Sequence, residues 1–475
     1  MARPCDLTAL EARRLIGLKA LSPVELLESC IEQIERADPH VNAMVVRAYE
    51  RARREAKEAE AAVVRGDEIG LLHGLPIGIK DLSETEGIVT AYGSLLFKDH
   101  IPAEDEHVVA AVRRSGAIVV GKTNTPEFGA GGNTNNKLYG PTRNPFLPEK
   151  TCGGSSGGSG VVLATNMVPL ATGSDTGGSL RLPAAFNGVV AHRASPGVVP
   201  FDRRAQAFTT YQSQGPMART VADASLLLAA MAERNDVDPM AYPLDPLQFA
   251  SLAPVDLSRL RVAFSEDLGV APVSNAIRAI FRERTQRFRS VFAYAEHVDP
   301  PLEGTLEAFW YLRGVYMLAK HQDMVERYGE DVNPNVRSNL AAAAKMTAGE
   351  IGRAAGEQYR LIHAMHGFFD RFDLLICPCV TVMPFPFEQL YPTEIDGAPM
   401  ENYVHWAALT SALTVTGNPA LALPCGLDSQ GTPFGIQVVG KLHRDRFVLA
   451  ASKALEEMMA ADPVLARPVP PSFPQ

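Results

Sequence analysis

Serine, lysine and glycine are the residue types on which chemistry could be built in this chain, and they crowd together. Thr151-Cys152-Gly153-Gly154-Ser155-Ser156-Gly157-Gly158-Ser159-Gly160 forms one Gly/Ser turn, and Gly173-Ser174-Asp175-Thr176-Gly177-Gly178-Ser179 a second. Composition alone would make such a stretch a flexible linker. Between the turns, however, Val161-Val162-Leu163-Ala164 is an apolar element and Val168 to Ala171 reads as a strand, and a linker is not interleaved with core. Two turns flanking one buried helix-strand unit can bring Ser155 and Ser179 together with backbone N–H groups aimed at a common spot. That is how an oxyanion site is made from backbone alone. A nucleophilic serine needs a base, and no histidine sits in a suggestive context. The other candidate is Lys80, at the end of the apolar run Leu75-Pro76-Ile77-Gly78-Ile79. A lysine among strand residues usually snorkels to solvent. Buried, its charged form is disfavoured and it could serve as a neutral base near pH 7.

Two other patterns fail on mechanism. Gly116-Ala117-Ile118-Val119-Val120-Gly121-Lys122-Thr123 fits the phosphate-loop expression, but its four middle residues are themselves an apolar strand and Pro126 follows closely. A phosphate loop needs its strand before the first glycine and a helix beginning at the Lys-Thr. Gly153 to Gly157 fits the nucleophile elbow of α/β-hydrolases, yet Pro145 to Cys152 supplies no strand upstream, and the later acid and histidine are not obvious. His363 and His366, three apart on a helical stretch, have no third ligand nearby, and Cys377-Pro378-Cys379 has no matching pair, so no metal and no cofactor is expected.

The chain has 475 residues, 46% hydrophobic and 21% charged, with a formal net charge of −9. That charge excludes the basic field a nucleic-acid groove or membrane surface requires. Met1 to Asp6 lacks the apolar core of a signal peptide, and no stretch reaches about 18 unbroken apolar residues. The six scattered cysteines then read as reduced thiols, and the expected location is cytoplasmic.

The elements that must position these residues follow from periodicity. Ser22-Pro23-Val24-Glu25 opens a helix running to about Ala37, and Tyr49 to Val64 reads as a second, more exposed helix. From Leu75 short apolar strands alternate with helical stretches such as His107 to Arg114, the pattern of an α/β domain around a largely buried sheet. Residues 236–365 carry helical periodicity with few strand signals and read as a mostly helical insertion or cap. Strand patterns resume at Leu374-Leu375-Ile376 and continue at 420–424 and 434–439. One domain over 1–475 is expected, with N-terminal helices in 1–66, core in 67–235, the insertion in 236–365 and more core in 366–475. One sheet would be built from both ends of the chain.

Taken together, the Gly74 to Asp81, Gly153 to Ser159 and Gly173 to Ala184 segments resemble those of the amidase signature family, whose members carry GxxxxIKD, GGSSGGS and GSDTGGSxRxPA. The 24 positions separating Ser155 from Ser179 match the family's spacing, and further segments from Gly121-Lys122-Thr123-Asn124 to Pro433-Phe434-Gly435-Ile436-Gln437 extend the likeness over most of the chain. The resemblance implies a large mixed β-sheet core sandwiched by helices and a Ser–cisSer–Lys triad. In it Ser179 is the acylating nucleophile, Ser155 on a cis bond to Gly154 relays protons and Lys80 is the base. It further implies an oxyanion hole from the N–H groups of Thr176, Gly177, Gly178 and Ser179, with Asp175 and Arg181 holding that turn and Ser156 supporting Lys80. Gly131, Gly132 and Asn133 lie in a segment that borders substrate in the family.

The implied reaction is hydrolysis of a linear amide, carbamates and esters sharing the tetrahedral chemistry. Two departures bear on it. The family's GLKPTxG segment is here Ala191-His192-Arg193-Ala194-Ser195-Pro196-Gly197, a loop expected to shape the pocket or pack beneath it. The competing function is the glutamine-hydrolysing A subunit of a tRNA-dependent amidotransferase, which carries an acidic residue about ten positions before the Gly417 equivalent. Here that position is Ala407, which favours a free-standing hydrolase, monomeric or homodimeric, acting on a small-molecule amide. With no basic or acidic cluster evident, an apolar acyl or aryl amide fits better than a charged one. Phe309, Trp310, Tyr311 and Tyr316 either cap the pocket or form the core of the helical segment.

Overall fold

The computed structural model describes residues 3–473. The chain begins with α1 (Ala9–Gly17), α2 (Pro23–Val41), β1 (Met44–Arg47) and α3 (Tyr49–Arg65). A full capping box between Ser22 and Glu25, with Pro23 in the first turn, starts α2 where the sequence predicts it. Strands and helices then alternate: β2 (Pro76–Lys80), α4 (His107–Arg114), β3 (Ile118–Thr123), α5 (Gly157–Ala164), β4 (Leu170–Asp175), α6 (Arg181–Asn187), β5 (Val190–Arg193), β6 (Ser213–Ala218) and α7 (Val221–Met231). The following segment holds β7 (Arg261–Phe264), α8 (Asn275–Phe288), β8 (Tyr294–His297), α9 (Thr305–Tyr328), α10 (Pro334–Ala343) and α11 (Ala348–Arg371). The remainder comprises β9 (Leu374–Pro378), the short pair β10 (Glu394–Ile395) and β11 (Ala398–Pro399), α12 (Ala408–Thr416), β12 (Ala420–Leu427), β13 (Pro433–Val439) and α13 (Asp445–Met459).

Eleven strands join in one mixed sheet of order β1-β3-β2-β4-β6-β5-β12-β13-β9-β7-β8. Every residue of β2, β3, β9 and β13 is buried, which is why these strands read as short apolar runs rather than alternating ones. The two ends of the chain meet where β12 runs antiparallel to β5, with Ala420 opposite Arg193. Residues 236–365, expected to be mostly helical, contribute four helices and also β7 and β8 at the sheet's edge. Each of these strands has only four residues, too few for alternation to stand out between long helices. Gly121, Lys122 and Thr123 lie inside β3 rather than at a helix start, so the phosphate-loop geometry is not formed.

The layer over the sheet is set by close approach. A Cβ on Gly158 would lie 2.3 Å from the Asn124 amide nitrogen, so only glycine lets the first turn of α5 sit this near the end of β3. All six cysteines are buried free thiols, and no helix among the described residues is long and apolar enough to cross a membrane. At the sheet's far edge Phe264 of β7 packs among Phe281, Phe288 and Phe292 with ring centroids 6.1 to 6.4 Å apart. Phe264→Ala should cost about 3–5 kcal/mol, the usual range for emptying an aromatic core site, and should appear as a lower urea midpoint.

Candidate active site

Lys80 ends β2, between β3 and β4, and is buried, its amine ringed by hydroxyls from two other elements. Its Nζ lies 2.7 Å from Ser155 Oγ and 2.8 Å from Ser156 Oγ, both in the turn entering α5, and 2.9 Å from Ser174 Oγ on β4. Burial holds the Lys80 pKa well below the ordinary lysine value, and the nearby cation Lys320 pushes the same way, while Asp175 opposes. A neutral amine has two N–H donors and one lone pair, so three hydroxyls satisfy it without a counter-ion. Ser156 donates to the Ser174 carbonyl (3.3 Å) and therefore accepts from Lys80.

The two Gly/Ser turns are tied directly, because Ser156 N–H donates to the Ser179 carbonyl (3.1 Å) and Ser174 N–H to Ser156 Oγ (3.3 Å). The Gly154–Ser155 peptide is cis. Ser179 lines a cavity of about 60 Å³ with Gly154, Thr176 and Gly177, while Ser155 and Ser174 line an adjoining one; Thr176, Gly129 and Arg313 face both. The Ser179 hydroxyl has no hydrogen-bond partner among the described residues.

Beneath the Ser179 turn, Asp175 is fully buried between two guanidiniums. Arg181 reaches it through Nε (3.0 Å) and Nη2 (3.1 Å), and Arg193 through Nη1 (3.2 Å). These cations hold the Asp175 carboxyl well below its usual range against the opposing effect of burial. Burial lowers Arg193 to about 10, so it stays charged at neutral pH. The same carboxylate accepts from Gly178 N–H (2.7 Å) and Leu180 N–H (3.2 Å), which shapes the turn. Gly178 has φ +131°, and a Cβ there would meet Thr410 Oγ1 at 2.2 Å. The segment 191–197 thus packs beneath the site through Arg193.

Two expected residues are placed otherwise. Gly178 N–H is already given to Asp175, so of the expected oxyanion set only Thr176, Gly177 and Ser179 have N–H groups without a partner among the described residues. Gly131 and Gly132 line the Ser179 cavity, but the Asn133 amide is spent on the scaffold, donating to the Phe387 and Gln389 carbonyls (2.8 Å each) and accepting from Thr151 (2.7 Å). The aromatic group divides. Phe309 lines the Ser179 cavity and Tyr316 the adjoining one, whereas Trp310 and Tyr311 line a separate outer hollow. Ser174, Arg193, Arg313, Tyr403 and Trp406 also belong to the site. Ser174 stands within the second Gly/Ser turn and Arg193 in the 191–197 segment, and the other three come from segments distant in sequence.

Residues 25–449 match the family model described as Amidase. The chain is 32% identical to an acylamidase of Rhodococcus erythropolis, covering 95% of both chains. It is 30% identical to the glutamyl-tRNA(Gln) amidotransferase A subunit of Moorella thermoacetica, covering 95% of this chain and 96% of that one. A solved bacterial aryl acylamidase of the amidase signature family superposes with a TM-score of 0.87 at 30% identity, over 96% of each chain. The chain belongs to the amidase signature family and is an amide-hydrolysing enzyme.

Asp175→Asn would leave two buried guanidiniums without their counter-charge. A loss of about 3–5 kcal/mol in stability is expected, together with loss of amide turnover, read by urea unfolding and by activity on the same preparation.

Proposed function

We propose that the protein is a free-standing hydrolase of small acyl or aryl amides, working through an acyl-enzyme on Ser179 with Ser155 as relay and Lys80 as base. The observation that carries this reading is the buried Lys80 amine within 2.7 Å of Ser155 Oγ and without a carboxylate partner. Neutral Lys80 takes a proton through Ser155 from Ser179, whose oxygen attacks the amide carbon. The oxyanion is received by the N–H groups of Thr176, Gly177 and Ser179. The relay returns the proton to the leaving nitrogen, the C–N bond breaks, and the amine departs. Water then attacks the ester by the same route and frees the acid. Carbamates and esters pass through the same tetrahedral geometry and belong to the substrate range.

The amidotransferase reading is disfavoured by Ala407. It lines the Ser179 cavity, where that reading calls for a carboxylate to hold an amino group. The cavity is walled by Phe309, Leu182, Tyr403 and Trp406, which suits an aryl or branched acyl group.

Ser179→Ala should abolish turnover, and Lys80→Ala should lower it by several orders of magnitude with the circular dichroism spectrum unchanged. A fluorophosphonate should add its mass to Ser179; full activity in purified Ser179→Ala protein sinks the assignment. Because the neutral amine is the active form, kcat/KM should climb as pH rises through the lowered Lys80 pKa, placing the rising limb well below the ordinary lysine value of about 10.4. Burial also raises Glu106, in the adjoining cavity, to about 7, so the profile is to be repeated in Glu106→Gln, where a limb belonging to Lys80 stays in place.

A further inference from the structure

Arg313 projects from α9 to the border of both cavities and is 8% exposed, yet among the described residues it has no carboxylate partner. Its two Nη groups donate to neutral oxygens, Asn339 Oδ1 and Tyr403 OH, and the guanidinium lies over the Tyr403 ring at 5.3 Å. Asn339 is itself fixed by donating to the Asn335 carbonyl (2.7 Å), and Asn335 donates to the Ala130 carbonyl (3.0 Å) in the loop beside Ser155. The guanidinium is therefore held rigidly on the wall that the two cavities share. A buried cation without a counter-ion is costly unless a ligand supplies the charge.

Lys320 on the same helix adds to the positive field. Lys320 lines the adjoining cavity, stacked over Tyr316 at 5.6 Å, and His321 lines it too, kept neutral by burial and by Lys320 and Arg313. Across that cavity the one acid is Glu106, both of whose oxygens are engaged, by Gln214 and by the Glu84 N–H (3.2 Å). Open charge recognition thus lies on the cationic wall. It arises from residues about 130 positions from Ser179, which is why no charged cluster is evident in sequence around the serines.

We infer that the preferred substrates are amides carrying a carboxylate, which Arg313 binds while the aromatic wall of Phe309, Tyr403 and Trp406 takes the rest of the group beside the scissile bond. This deepens the amide-hydrolase reading and rests on it for the chemistry, but the binding is measurable apart from turnover. The probes are monoanilides of dicarboxylic acids and acetanilides with a carboxylate on the ring, each paired with a counterpart carrying methyl in place of the carboxylate.

In calorimetric titration of Ser179→Ala protein, at least one carboxylated member should bind about tenfold or more tightly than its counterpart. The preference should collapse toward unity in Ser179→Ala/Arg313→Gln, which keeps hydrogen-bonding capacity, and survive in part in Ser179→Ala/Arg313→Lys, which keeps the charge. With the native Ser179, the ratio of kcat/KM between pair members should follow the same order. Absence of any carboxylate preference, or an equal loss of affinity for both members in Arg313→Gln, overturns the proposal even where neutral amides are hydrolysed. A preference dependent on Arg313 in protein that turns over no amide and takes no fluorophosphonate upholds it and removes the amidase mechanism instead.

Discussion

The proposed chemistry depends on keeping a lysine amine buried, where its charged form is disfavoured. A protonated ammonium at Lys80 would need a counter-ion, and the one carboxylate that acts on it electrostatically, Asp175, is committed elsewhere. Three serine hydroxyls surround the amine where a counter-ion would otherwise stand. The placement of β2 between β3 and β4 follows from this requirement, because only a strand buried on both faces delivers the amine to a dry site. The glycines at the start of α5 serve it too, letting the helix close to the sheet so that Ser155 and Ser156 come within reach.

Much of this was legible in the chain itself. Ser155 and Ser179 stand out because they sit in Gly-rich turns that core elements interrupt, and Lys80 because it is a charged residue ending an apolar strand run. Long, well-capped helices such as α2 and α11 were equally readable, since Ser22 with Glu25, and apolar spacing in the case of α11, are local signals. What was not readable is what depends on distant partners. Arg313 sits on a helix whose periodicity reads as ordinary core, and nothing near it in sequence announces that Asn339, Tyr403 and Ser179 converge there. β7 and β8 are strands only because β9 offers them an edge.

The oxyanion turn shows the same division at finer scale. That 175–179 forms a turn is a matter of local glycine and aspartate chemistry. Which N–H groups stay available is decided by the Asp175 side chain, and its orientation is set by Arg181 and by Arg193, the latter from a different strand. Asn133 is a parallel case: its neighbours Gly131 and Gly132 border the cavity, and its own amide is drawn off by the 387–389 loop.

The charge arrangement under that turn gives the structure its asymmetry. Two guanidiniums face one carboxylate, so the cluster carries net positive charge directly beneath Thr176, Gly177 and Ser179. A surplus cation there favours negative charge above the turn, which the proposed reaction requires, because charges in a buried setting are weakly screened. Asp175 is still indispensable, as two unopposed arginines could not be buried at all. The balance of two cations to one anion is therefore what lets the same cluster hold the turn rigid and bias the chemistry above it.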